Sequence, residues 1–534
     1  MPTVEESLVA ENAEKLTTAD VGTTDPTEQR TGPLPKRTIA LGTLGSLLIL
    51  ISAFGAAGIL VHDPVLGHGP LSWLRYGHGQ MLATGVLYLG FSLVVWAWVR
   101  LGRHVLAGRV APRTVLLAAG CWIAPLLVSP PVFTRDVFSY IAQGTLPLFG
   151  HDPYVVGPIV LDMQSVVQNV HPFWQTTPAP YGPMFILLAK GVAAVTGSNM
   201  IAGVVLMRLV LMIGLGLLLW ALPGLVRHLG GNLATTYWLA IAGPMTVVHL
   251  VGGPHNDILM VGFLAAGTLC VLDRKHVLGV FLVTLGVAVK ATAAIALPFL
   301  VLVWAAHLGG ATRGFNTRNF LRAGALAVAT FVATFAAVTL VAGVNLGWIQ
   351  ALQAPTMIVN WLSIPTAVGE AVNTVVNVFV DTNKSWFVNT TRVLGALAFL
   401  AIGVRQWWLS RAGGSDAVRR MAFVLFAVAV LSPATLPWYL TWGFVIAAAL
   451  PWQRRQLAIL VAAAVFLVLT YSPAGEDMLY NWPFIACALA AAVLAGFSLL
   501  RVDPLGLFAD RREELVDVNT PPADTPPADT TAKV

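Results

Sequence analysis

Long apolar runs recur throughout this sequence, from about residue 38 to about residue 500. A helix needs roughly 20 mostly apolar residues to cross a bilayer, and inside lipid a helix satisfies its own backbone hydrogen bonds. The runs predict an all-α polytopic membrane protein with about fourteen spanning helices, within a range of roughly twelve to fifteen. We expect the spans near residues 38–61, 79–100, 113–131, 200–223, 234–252, 256–273, 277–289, 291–308, 320–343, 390–408, 421–433, 437–450, 457–471 and 483–500.

The composition favours a membrane protein over a soluble domain. Hydrophobic residues make up 57% of the chain and charged residues only 10%, against about 25% charged residues in soluble proteins. The net charge is +6, but in a membrane protein the location of the basic residues matters more than their sum. We therefore predict contact with membrane lipids and no nucleic-acid binding. The three cysteines lie in or beside apolar runs without metal-ligand spacing, so neither a disulfide nor a zinc site is expected.

Clusters of arginine and lysine set the predicted orientation, because loops rich in these residues face the cytoplasm. A plasma-membrane protein with about fourteen spans and both termini in the cytoplasm places every such cluster inside. The loop 132–199 is then on the outer face. Its apolar stretch 185–197 is short and contains Lys190, so we expect an interfacial or re-entrant helix there.

The chain is predicted to have one membrane domain, residues 36–502, between two polar tails. Residues 1–35 and 503–534 are rich in Pro, Thr and Asp, a composition that cannot bury enough apolar surface to fold. We expect both tails to be disordered and cytoplasmic.

Apart from Arg208 and the cytoplasmic arginine and lysine clusters, ionisable residues gather at the predicted outer ends of the spans, which indicates a site facing the outer leaflet. In the segment TRDVFSY, Asp136 has two interpretations: an acid that stabilises a helix N-terminus, or a general base at the boundary between water and lipid. Its neighbour Arg135 either pairs with a phosphate or extends to the lipid headgroups.

Two further outer segments contain candidate binding residues. In GHDPYVVGP, Asp152 either forms a turn or joins the site, and Tyr154 either anchors the loop or stacks on a sugar ring. In GGPHNDILM, the triplet His255, Asn256 and Asp257 either caps a helix or binds phosphate, sugar hydroxyls or a cation. One His and one Asp are too few ligands for a metal site. We therefore predict no metal and no other cofactor, with a divalent cation left open.

A lysine and a group of aromatic residues complete the candidate site. Lys290 separates two short apolar runs near the outer face, where it binds a lipid phosphate or extends to the headgroups. Trp361, Trp438 and Tyr439 lie in outer segments, where aromatic residues form either an interfacial belt or a platform for carbohydrate, which Glu370 could also line.

The order of these segments resembles a known family. An outer RDVFSYIAQG is followed by GHDPYVVGP, PYGP, GGPHND, a lysine between two short helices, and PWYLTW. This order is similar to that of the actinobacterial polyprenol-phosphate-mannose-dependent alpha-1,6-mannosyltransferases of lipomannan synthesis, which belong to the GT-C class of membrane glycosyltransferases. The resemblance covers about residues 38–500.

The resemblance implies a fold with a large first catalytic loop on the outer face, and an inverting transfer of mannose from polyprenyl phosphomannose to a mannan acceptor. It implies that Asp136 is the catalytic residue and that Arg135, Lys290 and His255 bind the donor phosphate. Many GT-C enzymes have two adjacent acids in this loop, whereas Arg135 and Val137 flank Asp136 here, which puts an obligatory metal in doubt. The remaining residues expected to bind sugar or acceptor are Tyr140, Asp152, Tyr154, Tyr181, Asn256, Asp257, Trp361, Trp438 and Tyr439.

Two alternatives stay open from the sequence. A GT-C enzyme that uses another sugar or acceptor, such as an arabinosyl or protein O-mannosyl transferase, has the same features. A polyprenyl-lipid transporter or flippase also has many spans and a phosphate-binding lysine, but it is expected to show repeats and ionisable residues at the midplane.

Overall fold

The computed structural model of the protein describes residues 35–58, 60–63, 66–310 and 315–501. Within these residues the chain forms helices and loops, and the one β-type contact is an isolated bridge between Tyr471 and Asp477. The all-α prediction is therefore confirmed. The two predicted tails lie outside the described residues, apart from Pro35 at the edge of the first.

We number the described α-helices of seven or more residues along the chain. They are α1 Lys36–Ala56, α2 Gly77–Leu106, α3 Pro112–Ile123, α4 Asp136–Thr145, α5 Pro183–Thr196, α6 Met200–Leu229, α7 Leu233–Ala240, α8 Asp257–Leu272, α9 His276–Val289, α10 Leu297–Gly309, α11 Thr317–Ala342, α12 Ile364–Val376, α13 Lys384–Leu409, α14 Gly414–Leu431, α15 Thr441–Ala447, α16 Arg454–Val468 and α17 Trp482–Leu500.

Shorter helical segments connect these helices. A π-helical segment, Met245–Gly252, follows α7. Single α-turns form at Gln164–Val167, Pro172–Gln175 and Trp348–Ala351. The 3-10 segments are Ser72–Arg75, Ala124–Leu127, Leu146–Phe149, Pro158–Val160, Ala291–Ala296, Ala354–Met357 and Pro437–Leu440.

Several helices have the length and apolar composition of membrane spans. Among the described residues, seven helices meet both criteria, and the number is eight if α7 and the π-helical segment, which are bent by 45°, form one span. Four shorter apolar helices of 10–17 residues accompany them. A multi-pass membrane protein is therefore confirmed, while the number of about fourteen spans stays a prediction.

The crossing of α6 and α8 positions the start of α8, which contributes to the candidate site. A Cβ atom added at Gly214 of α6 would lie 2.2 Å from the carbonyl oxygen of Ile258, and one added at Gly262 of α8 would lie 2.4 Å from the carbonyl oxygen of Gly214. Only glycine permits the two backbones to approach so closely, as is common where small residues pack membrane helices. The crossing therefore fixes the position of α8 against α6.

Arg208, the ionisable residue within the apolar run of α6, is fully buried and serves a structural role. Its guanidinium donates hydrogen bonds to the carbonyl oxygens of Val251 (3.0 Å), Gly252 (3.0 Å) and Leu127 (2.8 Å). The first two carbonyls end the π-helical segment, where a helix leaves its last carbonyls without partners. Arg208 satisfies them and stabilises the negative end of that helix dipole.

The predicted outer loop contains two packed helices. Helix α4 begins at Asp136, and a Cβ atom added at Gly144 near its end would lie 2.3 Å from the backbone of Ala189 in α5. The predicted helix at 185–197 is confirmed as α5, Pro183–Thr196, whereas its interfacial position stays a prediction. The packing of α4 on α5 fixes the direction in which the first turn of α4 projects.

Candidate active site

Five parts of the chain meet around a cavity of about 200 Å³. They are the first turns of α4, the segment before α5, the break between α9 and α10, the segment from Leu352 to Thr356, and the stretch from the end of α14 to the start of α15. Predicted site residues that line the cavity are Asp136, Tyr140, Tyr181, Lys290, Trp438 and Tyr439. A larger cavity of about 480 Å³ between α2 and α17 has a mainly apolar lining and contains none of the predicted site residues. The candidate chemistry therefore lies in the smaller cavity.

Asp136 is the first residue of α4, and its carboxylate faces the cavity. Arg135 occupies the N-cap position, and the Asp136 backbone N–H donates to the Thr134 hydroxyl oxygen at 3.1 Å. The carboxylate is not the cap of its own helix. With 21% of its side chain exposed, Asp136 is accessible to a group bound in the cavity.

His255 lies behind Asp136 and is fully buried. Its Nδ1 is 3.3 Å from Asp136 Oδ2, a distance within ion-pair range although the alignment is too poor for a hydrogen bond. The imidazole stacks on the indole of Trp438, with ring centroids 3.7 Å apart. His255 therefore contacts the carboxylate from the protein side and does not line the cavity.

Lys290 lines the cavity and is paired with Asp257, which is fully buried at the start of α8. Its Nζ is 2.8 Å from Asp257 Oδ1 and 3.0 Å from Oδ2. The indole N–H of Trp442 also donates to Asp257 Oδ1 at 2.5 Å, and the ammonium lies 4.4 Å from the centre of the Tyr439 ring. Asp257 is thus the counterion that holds Lys290 in place, and it does not reach the cavity.

Aromatic side chains form much of the cavity wall. The rings of Tyr140 and Tyr181 are in edge-to-face contact with centroids 5.3 Å apart. Trp438 and Tyr439 also line the cavity, and the Tyr439 ring lies close to the Lys290 ammonium. Trp174 and Trp442 also line the cavity, although the sequence analysis did not select them. Both could have been selected as aromatic residues near a proline or a selected motif: Trp174 lies in HPFWQ, and Trp442 ends PWYLTW.

Several buried polar side chains near Asp136 have unused hydrogen-bonding atoms. The side-chain amide of Asn256 and both ring nitrogens of His249 and of His255 lack a hydrogen-bond partner among the described residues. The His249 ring lies 6.0 Å from His255 and 5.6 Å from Trp438. His249 was missed because it stands alone in the apolar run TVVHLVG. Buried polar groups are normally satisfied, so these atoms are available to an ordered water or a bound group.

The other predicted site residues do not line the cavity. Arg135 donates to the carbonyl oxygen of Asn169 at 2.8 Å; partial burial lowers its pKa, and the charge of Glu476 opposes that shift. Asp152 forms a turn by accepting from the backbone N–H of Tyr154 at 2.8 Å.

Tyr154 is buried against the loop at Gly347. A Cβ atom added at Gly347 would lie 2.9 Å from the Cβ atom of Tyr154. Trp361 donates to the carbonyl oxygen of Leu479 at 2.6 Å and stacks on Trp482. The contacts of Asp152, Tyr154 and Trp361 fit the alternatives in which these residues have a structural role and do not bind sugar. No group of three His, Cys, Asp or Glu side chains in the described part of the chain is arranged to hold a metal ion.

Comparison with known proteins places the chain in a family. A model described as "Alpha-(1->6)-mannopyranosyltransferase, N-terminal domain" matches residues 39–306, and one described as "MptB C-terminal domain" matches residues 365–501. Asp136 and Lys290 fall in the first region and Trp438 in the second, so the cavity is built from both. No solved structure matches the chain.

Curated relatives extend over most of the chain. An Alpha-(1->6)-mannopyranosyltransferase A of Mycobacterium tuberculosis is 39% identical, covering 86% of this chain and 89% of the relative. One of the same name from Corynebacterium glutamicum is 32% identical, covering 84% and 94%. A probable alpha-(1->6)-mannopyranosyltransferase of Mycolicibacterium smegmatis is 31% identical, covering 86% and 87%. The chain therefore belongs to the actinobacterial alpha-(1->6)-mannopyranosyltransferase family and is a membrane mannosyltransferase.

Proposed function

We propose that this enzyme transfers mannose from polyprenyl phosphomannose to an alpha-1,6-mannan acceptor of lipomannan, at the outer face of the plasma membrane and with inversion at the anomeric carbon. The observation that carries the proposal is that Asp136 and Lys290 line one cavity between aromatic walls. A carboxylate and an ammonium facing the same small space suit a reaction that removes a proton at one end and releases a phosphate at the other.

Lys290 is assigned to the donor phosphate. Its ammonium is held by Asp257 and by the rings of Tyr439 and Trp442, so it needs little reorganisation when charge develops on the leaving phosphate. The sequence analysis also assigned Arg135 to the donor phosphate. Its guanidinium donates to the carbonyl oxygen of Asn169, so we place Arg135 at the edge of the site.

Asp136 is assigned as the general base. It takes the proton of the acceptor 6-hydroxyl while that oxygen attacks the anomeric carbon of mannose. The bond between the anomeric carbon and the phosphate oxygen breaks, and its electron pair leaves with polyprenyl phosphate. Attack from the face opposite the phosphate converts the β configuration of the donor into the α configuration of the product.

His255 is assigned to Asp136 and not to phosphate, because it is fully buried behind the carboxylate. Stacking on Trp438 limits the rotation of the imidazole, so the ring holds the carboxylate in one orientation.

The proposed topology has about fourteen spans with both termini in the cytoplasm and the loop 132–199 outside. It is supported by the arginine and lysine clusters of the other loops. It places Asp136 and Lys290 on the side where a lipid-linked sugar donor and a surface glycan meet.

Transfer of labelled mannose tests this proposal. Membranes that contain the enzyme are given polyprenyl phosphomannose and a short alpha-1,6-mannoside, and the product linkage is determined by NMR. We expect a new α-(1→6) bond, formed in right-side-out vesicles without permeabilisation. A β linkage contradicts inversion, activity only after permeabilisation contradicts the outer location, and lipid transport without transfer supports the flippase alternative.

A further inference from the structure

A second space lies beside the catalytic cavity, between α10, α11 and α13. Its volume is about 340 Å³, and its lining is apolar, including Ala294, Val301, Gly324, Phe331 and Trp407. We call this space the lateral groove. It contains no ionisable side chain, so a ligand that fills it must be apolar along its length.

One short segment joins the lateral groove to the catalytic cavity. Lys290 directly follows the last residue of α9, and the 3-10 segment Ala291–Ala296 comes next. Ala291 and Thr292 line the cavity, whereas Ala294 of the same segment lines the lateral groove. The groove therefore begins within about two helical turns of the backbone of Lys290, whose ammonium we assign to the donor phosphate.

The helices on either side of the groove leave it accessible from the apolar surface. Only 22% of the apolar stretch of α11 and 11% of that of α13 are buried. Trp407 of α13 donates to the carbonyl oxygen of Pro298 at 3.2 Å and packs against Phe320 with ring centroids 5.9 Å apart. Trp407, Pro298 and Phe320 all line the groove, so these contacts form part of its wall. From Phe320 to Phe331 the groove extends roughly 16 Å along α11 at 1.5 Å per residue.

We propose that the lateral groove binds the isoprenoid chain of the lipid donor while Lys290 binds its phosphate. The inference rests on the proposed function, since it names where the donor lipid lies. A chain attached to a phosphate at Lys290 must leave the cavity through an apolar exit, and the lateral groove starts on the same 3-10 segment. The larger cavity between α2 and α17 is lined by no residue of the 3-10 segment that follows Lys290.

Gly324→Phe tests the groove directly. Gly324 lines the groove, and a Cβ atom added there has only Val301 Cγ1 near it, at 4.0 Å, so a phenylalanine can start from this position without a clash at its Cβ atom. The matched control is Gly216→Phe in α6, where a Cβ atom has no heavy atom within 4 Å. Both variants replace a helical glycine in an apolar helix, and only the first enters the groove.

The assay compares two mannosyl phosphate donors, one with a long polyprenyl chain and one with only two isoprene units. For Gly324→Phe we expect kcat/KM with the long donor to fall about tenfold through KM, as when two buried methylene groups are displaced. The short donor and the Gly216→Phe control keep the wild-type value. An equal loss with both donors, or no loss with either, overturns the proposal.

Two further results locate the chain independently. Ala491→Phe obstructs the larger cavity between α2 and α17, and a loss confined to that variant would place the chain there and overturn the proposal. If the wild type transfers mannose from neither donor, the proposed function fails. Retention of mannose-free polyprenyl phosphate by protein in nanodiscs then decides: less retention by Gly324→Phe than by Gly216→Phe supports the groove, and equal retention overturns it.

Discussion

The Lys290–Asp257 pair makes the strongest prediction about stability. Lys290→Met leaves a fully buried carboxylate whose remaining donor is the Trp442 indole, and breaking a buried pair in this way costs about 3–5 kcal/mol. Asp257→Asn leaves an ammonium that keeps 14% exposure and contact with two aromatic rings, so we expect a smaller cost of about 1–3 kcal/mol. The double variant should cost less than the sum of the two.

The measurement is the free energy of unfolding in mixed micelles of a mild detergent and SDS, for both single variants and the double variant. The matched control is the pair between Lys384 and Glu370, in which Lys384 is 54% exposed; Lys384→Met should cost no more than about 1 kcal/mol. If the cost of the double variant equals the sum of the costs of Lys290→Met and Asp257→Asn within about 0.5 kcal/mol, the pairing is refuted.

Three other substitutions follow from the contacts. Trp438→Ala removes the ring that stacks on His255 and lines the cavity, so kcat/KM for mannose transfer should fall roughly tenfold. The control variant Trp361→Ala should retain activity. Equal losses in the two variants would contradict the assignment of this cavity as the active site. Gly214→Val should lower the melting temperature, because a Cβ atom there meets a backbone oxygen at 2.2 Å, and Gly216→Val should not. Arg208→Met should lower the free energy of unfolding by about 3 kcal/mol through lost hydrogen bonds to carbonyls; an unchanged value would show that water replaces them.

Much of the helical architecture could be predicted, because apolar runs of spanning length fold into helices whatever their neighbours are. The outer segments could also be grouped by their depth in the membrane. Asp136, Lys290 and Trp438 were predicted at the outer face and do line one cavity. Depth is one coordinate only, however, and it does not tell which residues of a face are adjacent.

The lateral arrangement depends on tertiary packing, which the sequence did not show. Asp152 and Trp361 were assigned to the same face as Asp136, but Asp152 accepts from the neighbouring Tyr154 backbone and Trp361 donates to the distant Leu479 backbone, and neither lines the cavity. Asp257 was predicted to bind sugar, and the partner that buries it, Lys290, comes from the break after α9. Arg208 was recognised as unusual, yet its carbonyl partners come from two other segments of the chain.

Both matched regions of the family contribute to the cavity. Asp136 and Lys290 come from residues 39–306, whereas Trp438 comes from residues 365–501. The stacking of Trp438 on His255 joins the two regions directly behind the carboxylate. A truncated chain that lacked the second region would expose His255 and lose one wall of the cavity.

The most direct test of the central claim is the turnover of Asp136→Asn, measured beside its binding of polyprenyl phosphomannose. Asparagine keeps the shape of the side chain but accepts no proton, so we predict that kcat falls roughly a hundred- to ten-thousandfold while donor binding is retained. Asp152→Asn is the matched control, since that carboxylate lies in the same loop and bonds to Tyr154 and Asn345; it should transfer mannose at the wild-type rate. Wild-type turnover by Asp136→Asn would contradict its role as the general base.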